Sequence, residues 1–165
     1  MPRIAIHGQD LHYLDCGAGF PVLFGGSYLW NAVMWAPQVE GLSSRYRCIV
    51  PELWGHGKSG AIPEVPYSMS KLAGDMRGLV DALGLEQFAI VGLSVGGIWG
   101  IEMALACPAR VRALVLMDTA AAKFASKAVP SSPATVATAP SNDHTSAPDV
   151  RSLVMISAST QPIPR

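Results

Sequence analysis

Gly92-Leu93-Ser94-Val95-Gly96 is a G-x-S-x-G pattern set where an apolar run gives way to helical spacing. A serine on a sharp strand-to-helix turn lifts its hydroxyl above a sheet, and Gly92 and Gly96 remove side chains that would collide there. The Val95 N–H then lies at a helix N-terminus, where it can stabilise a developing oxyanion. The chemistry this predicts is nucleophilic attack by Ser94. Simpler readings compete with it. Ser94 could be an ordinary helix N-cap. Gly92 to Gly97 could be a dinucleotide fingerprint with Asp118 as ribose ligand, but Ser94 stands where a glycine must let pyrophosphate approach. Gly57-Lys58-Ser59 ends like a P-loop, yet Glu52 occupies the first glycine's place, and Pro63 and Pro66 follow instead of a helix. That motif is a decoy.

The elements that must hold Ser94 are legible from periodicity. Ile4, Ile6, Leu11 and Tyr13 alternate around Gly8-Gln9-Asp10, which predicts a hairpin. Apolar runs at 21–24, 46–51, 88–93 and 111–117 read as buried strands. Helical spacing covers 34–45, with Trp35, Val39 and Leu42 on one face, and 68–84, with Gly84 as its stop. A third helix spans 95–107 and ends before Pro108. Strands apolar on both faces, alternating with helices, predict a mostly parallel sheet inside a three-layer α/β sandwich. The hairpin adds an antiparallel edge. Trp30, Trp35 and Trp99 are read as core residues.

The 165 residues suffice for one domain with a real core. Half of them are hydrophobic and 12 basic residues balance 12 acidic ones. A neutral chain gives no electrostatic reason to expect nucleic acid or an anionic membrane as partner. Cys16, Cys48 and Cys107 are scattered, without metal or redox spacing, so no disulfide framework is expected. No stretch approaches membrane-spanning length and no leader precedes the first strand, which predicts a soluble, reduced, cytoplasmic protein. After Ala120 the composition shifts. Three regions follow: 1–120 as the α/β core, 121–149 rich in Pro, Ser, Ala and Thr, and 150–165 with a strand-like run and a tail.

Four segments resemble the N-terminal half of the α/β-hydrolase family in order and spacing: VLFGGSYLW (22–30), IVPELWGHGKSG (49–60), VGLSVGG (91–97) and VRALVLMDTA (111–120). Residues 79–93 look like that family's approach to its nucleophile elbow. The resemblance spans roughly residues 3–120 and implies an incomplete, truncated version of the fold. It implies Ser94 as nucleophile and the amides of Ser27 and Val95 as oxyanion donors. No metal or organic cofactor is implied. Two positions depart from the family. Gly25-Gly26 replaces His-Gly before the donor, removing the side chain that normally steadies that loop, and Glu52 replaces Asp after the proline.

A serine needs a base, and the base an orienting acid. The family order is Ser, acid, His. Asp118 ends the strand after the elbow, and His144 is the histidine that follows Ser94, so Ser94, Asp118 and His144 form the candidate triad. His144 falls in the Pro- and Ser-rich region, where nothing fixes it. His7 and His12 are expected at the surface of the hairpin, and His56 as a structural support of its loop. Residues 152–160 look like the family's next strand, with Thr160 where an acid would stand. The favoured reading is a serine hydrolase acting on an ester, lactone or similar small acyl substrate, with impaired activity. The alternatives are a non-catalytic ligand-binding or interaction protein and a non-functional gene fragment. An open sheet edge beyond residues 111–117 would favour self-association.

Overall fold

Strands that are apolar on both faces must be covered on both sides, and this chain covers them with helices of unequal extent. The computed structural model describes residues 1–119 and the strand Ser152–Ile156. Its strands are β1 (Arg3–Ile6), β2 (Gln9–Cys16), β3 (Phe20–Gly25), β4 (Tyr46–Pro51), β5 (Phe88–Leu93), β6 (Val111–Met117) and β7 (Ser152–Ile156). Its helices are α1 (Ala36–Leu42), α2 (Met69–Ala82) and α3 (Val95–Ala106), with a 3-10 turn over Ala32–Trp35. The sheet order is β1-β2-β4-β3-β5-β6-β7. β1, β2 and β4 pair antiparallel, whereas β4, β3, β5, β6 and β7 run parallel. The expected α/β sandwich with an antiparallel N-terminal edge is thus present.

Alternation along each strand sends side chains to opposite layers. Leu23, Ile49, Phe88, Ile90, Leu114 and Leu116 pack under α2 and α3 with Leu79, Trp99 and Met103. Val22, Phe24, Cys48 and Val50 face the other way, against Trp35 and Val39. Ser68 caps α2 by accepting from the Lys71 N–H at 3.2 Å, which stabilises such a helix by about 1 kcal/mol. Gly84 follows α2 at φ +66°, a left-handed stop that a side chain would resist.

Several expectations shift in detail. The hairpin turn sits one residue early, at His7-Gly8, both with positive φ, so Gln9 and Asp10 already belong to β2. That matches a two-residue turn whose twist suits the strands. The first expected helix divides, because Pro37 sits in the opening turn of α1 and the preceding residues wind as 3-10. Trp35 and Trp99 are core residues, but Trp30 is 62% exposed on the loop after β3. β7 lies within the apolar run 150–158 and pairs in parallel along β6, from Ala113↔Ser152 to Met117↔Ile156, covering that edge. No helix among the described residues is long and apolar enough to cross a membrane.

Candidate active site

β3 and β5 are neighbours with Gly25 opposite Gly92, so the loop after β3 and the turn after β5 leave the sheet side by side. Their closeness is a matter of missing side chains. A Cβ on Gly92 would stand 2.5 Å from the Gly97 nitrogen, and one on Gly96 would run into the Gly25 carbonyl. One on Gly25 would stand 2.7 Å from the Gly96 Cα. The contact is sealed by the Gly96 N–H, which donates to the Gly26 carbonyl at 3.0 Å. The loop holding Ser27 is therefore fixed to the first turn of α3.

The missing support at position 25 has a structural answer. A Cβ there would also meet the Trp99 ring edge at 2.6 Å, so Trp99, fully buried on α3, fills the space a larger residue would need. On the opposite face, Met34 and Trp35 crowd Gly26. The strand end is clamped between two indoles.

Ser94 sits between β5 and α3 at φ 52° and ψ −115°, and its side chain caps nothing. The N-cap reading fails on this point. A non-glycine residue in that region is strained by about 1–3 kcal/mol and persists only when its surroundings over-determine it. Those surroundings are identifiable. The Ser94 N–H donates to the Met117 carbonyl at 3.0 Å, and the Thr119 hydroxyl donates to the Ser94 carbonyl at 2.5 Å. The same carbonyl accepts from the N–H groups of Gly97 and Ile98, which starts α3. Val95 is the first residue of α3, so its amide has no acceptor within the helix. Ser94 itself is half-buried.

Asp118 lies between the two residues that hold Ser94. It too has positive φ, 45°, and is exposed. The fold thus brings Ser94 and Asp118 to adjacent strand ends, while His144 and Thr160 lie outside the described residues. Thr119 is a site residue that sequence reasoning missed. Its partner signal is Gly97, where a Cβ would stand 2.6 Å from the Thr119 hydroxyl.

The loop after β4 is built differently. Glu52 is buried, and its carboxylate accepts from the Lys58 N–H at 2.8 Å. Gly57, at φ 52°, leaves room for that carboxylate, which a Cβ would strike. Ser59 donates to the Glu52 carbonyl and accepts from the His12 N–H, both at 2.9 Å. His56 carries the structural role expected of it: Nδ1 lies 2.9 Å from the Trp54 carbonyl, and Nε2 bonds the Tyr28 carbonyl, one residue from Ser27. Both ring nitrogens are thus engaged with backbone carbonyls.

The remaining described histidines are no closer to that role. His7 is exposed but pairs with the buried Asp75 at 2.9 Å. Asp75 also accepts from Trp54 Nε1 at 2.7 Å and from the Tyr67 hydroxyl, so it straps hairpin, loop and α2 together. Burial and Asp75 push the Tyr67 phenol well above its ordinary range. His12, expected at the surface, is half-buried, with Nδ1 enclosed and unpartnered. It lies on β2, with β4 and β3 between it and β5. No group of His, Cys, Asp and Glu among the described residues could hold a metal ion.

The sequence pattern of the alpha/beta hydrolase fold matches residues 19–159. The chain belongs to the α/β-hydrolase family. Among curated α/β-hydrolase relatives, it is 40% identical over 114 residues to the putative carbamate hydrolase RutD of Azorhizobium caulinodans, covering 68% of this chain and 43% of that protein. Among solved structures it is similar to a thermophilic esterase from Thermogutta terrifontis, at 36% identity and TM-score 0.68 over 73% of this chain and 47% of that one. The enol-lactonase of Burkholderia xenovorans gives 35% identity and TM-score 0.69 with the same coverages. This α/β-hydrolase chain spans less than half the length of the curated relatives it matches.

Proposed function

We propose that the chain is a serine hydrolase acting on an ester, lactone or similar acyl bond, with Ser94 as nucleophile and the Ser27 and Val95 amides as oxyanion donors. The observation that carries this reading is the strained Ser94 backbone with an uncommitted hydroxyl, held by bonds to Met117 and Thr119. Strain of that kind is costly and is concentrated at functional sites. The named activities of a carbamate hydrolase, an esterase and an enol-lactonase among similar proteins support an acyl substrate. Asp118 is the proposed acid, from its place beside Ser94, and His144 the proposed base. Activity is impaired in this reading, because His7 and His56 are engaged elsewhere, His12 lies on β2 with β4 and β3 between it and β5, and the sequence around His144 has no strand or helix pattern.

A panel of p-nitrophenyl acetate, a γ-lactone and an aryl carbamate tests this. We expect turnover about 10³–10⁴ above the uncatalysed rate, from oxyanion stabilisation and binding, if no base reaches Ser94, and higher, Ser94-dependent turnover if one does. In the second case His144→Ala and Asp118→Ala lower the rate. Turnover above that background that is unchanged in Ser94→Ala would overturn the proposal. A second reading, a non-catalytic ligand-binding protein, is favoured by the engagement of both His56 nitrogens. Saturable binding of a lactone without turnover would select it.

A further inference from the structure

Two of the three cysteines scattered in the sequence come together in the fold. β2 and β4 pair antiparallel with Cys16 directly opposite Cys48, and both thiols are free. Opposed residues point to the same face of a sheet. The Tyr13 N–H turns away from β4 to the Pro2 carbonyl at 3.1 Å, and the Glu52 N–H donates back to the His12 carbonyl at 2.9 Å. Alternation from His12 puts Leu14 and Cys16 at hydrogen-bonded pairs with β4, where Cα atoms are about 5.5 Å apart. That separation lies at the centre of the range a disulfide bridges. Cβ atoms of such pairs are roughly 4.5–5.5 Å apart, at or beyond the wide end of disulfide geometry, so the bond needs a small local movement. Cys16 is free to supply it, being exposed and the last residue of β2.

We propose that Cys16 and Cys48 form a reversible cross-strand disulfide when the protein meets a hydroperoxide. The Cys16 thiolate attacks one peroxide oxygen, the O–O bond breaks, and hydroxide leaves, giving a sulfenic acid at Cys16. The Cys48 sulfur then attacks the Cys16 sulfur, the S–S bond forms, and the S–O bond breaks. The two thiol protons leave with the two oxygens as water. Two thiols and one hydrogen peroxide become one disulfide and two waters, with two electrons passing to the peroxide. The division of roles follows from access. Cys16 is exposed and meets the oxidant, whereas Cys48 is buried, and that burial holds its thiol protonated above the ordinary range. A disulfide closed at the wide end of its geometry is strained and readily reduced, which makes the step reversible. Cys107 is the internal control because it sits at the end of α3, away from the β2–β4 pair; its thiol donates to the Met103 carbonyl, as that of Cys48 does to the Tyr46 carbonyl at 3.8 Å.

The test treats the full chain with one equivalent of hydrogen peroxide, alkylates it after unfolding, and maps the peptides without reduction. The expected result is loss of two thiols, a mass lower by about 2 Da for the two hydrogens removed, and a Cys16–Cys48 linked peptide. Dithiothreitol should restore both thiols. Cys107→Ser should leave the result intact, and Cys16→Ser and Cys48→Ala should each abolish the link. Cys16→Ser, an exposed change, keeps the test valid if Cys48→Ala fails to fold. Oxidation of Cys16 to sulfinic acid or an intermolecular disulfide, with Cys48 still fully alkylated, would overturn the proposal.

Discussion

Two strand ends border the candidate site, on either side of β3, and they hold their shapes by opposite means. The turn after β5 is built by exclusion: Gly25, Gly92 and Gly96 bring backbone onto backbone, Gly97 lies against the Thr119 side chain, and none of the four leaves room for a Cβ. The loop after β4 is built by insertion, with the Glu52 carboxylate and His56 ring filling its interior and bonding backbone groups. The first arrangement is rigid because any added atom collides. The second is adjustable, because its contacts are single hydrogen bonds of modest net worth. A reacting serine needs the first kind of support, whereas a flanking loop can rely on the second.

Breaking each end should separate them clearly. Gly96→Val drives a side chain into the Gly25 carbonyl, between backbones that cannot yield. We expect a loss of roughly 4 kcal/mol or failure to fold, measured by urea unfolding. Gly55→Ala in the β4 loop is the counterpart, at φ +72° with nothing near the new methyl. It should cost only about 1 kcal/mol of backbone strain. Equal costs at the two positions would dissolve the distinction.

Glu52→Gln sharpens the account of the inserted loop. An oxygen remains for the Lys58 N–H, but a buried amide N–H₂ gains no evident acceptor and the charge-assisted bond is lost. The expected loss is about 1–3 kcal/mol in the same unfolding experiment. A neutral or stabilising result would mean that the carboxylate merely fills space.

The smallest effect has the opposite sign. Ser94→Gly removes a side chain from a backbone region that glycine enters freely, so stability should rise, by up to about 1 kcal/mol. The helix should lose nothing, because Ser94 does not cap it. A destabilised Ser94→Gly would show that the serine serves the fold.

The contrast also explains what could be read from the sequence. The elbow was legible because each of its glycines answers a steric demand that residue type alone reveals. The parallel sheet was legible because its strands are apolar on both faces. Thr119 was not, since its bond to Ser94 depends on how β6 is registered against β5. Glu52 read only as a departure from the family, because the space it fills is created by Gly57, five residues on. Gly25 read as a lost support, although Trp99 on a later helix takes up that space. Cys16 and Cys48 escaped notice because their pairing is a fact of register across two strands far apart in sequence.

Ser94 reactivity is the direct probe of the whole account. The full chain should be incubated with a fluorophosphonate and the adduct mapped by mass spectrometry. We predict a stoichiometric, slow modification confined to Ser94, lost on unfolding and absent in Ser94→Ala. A folded protein that stays unlabelled at Ser94, or carries the label on another serine, would contradict it.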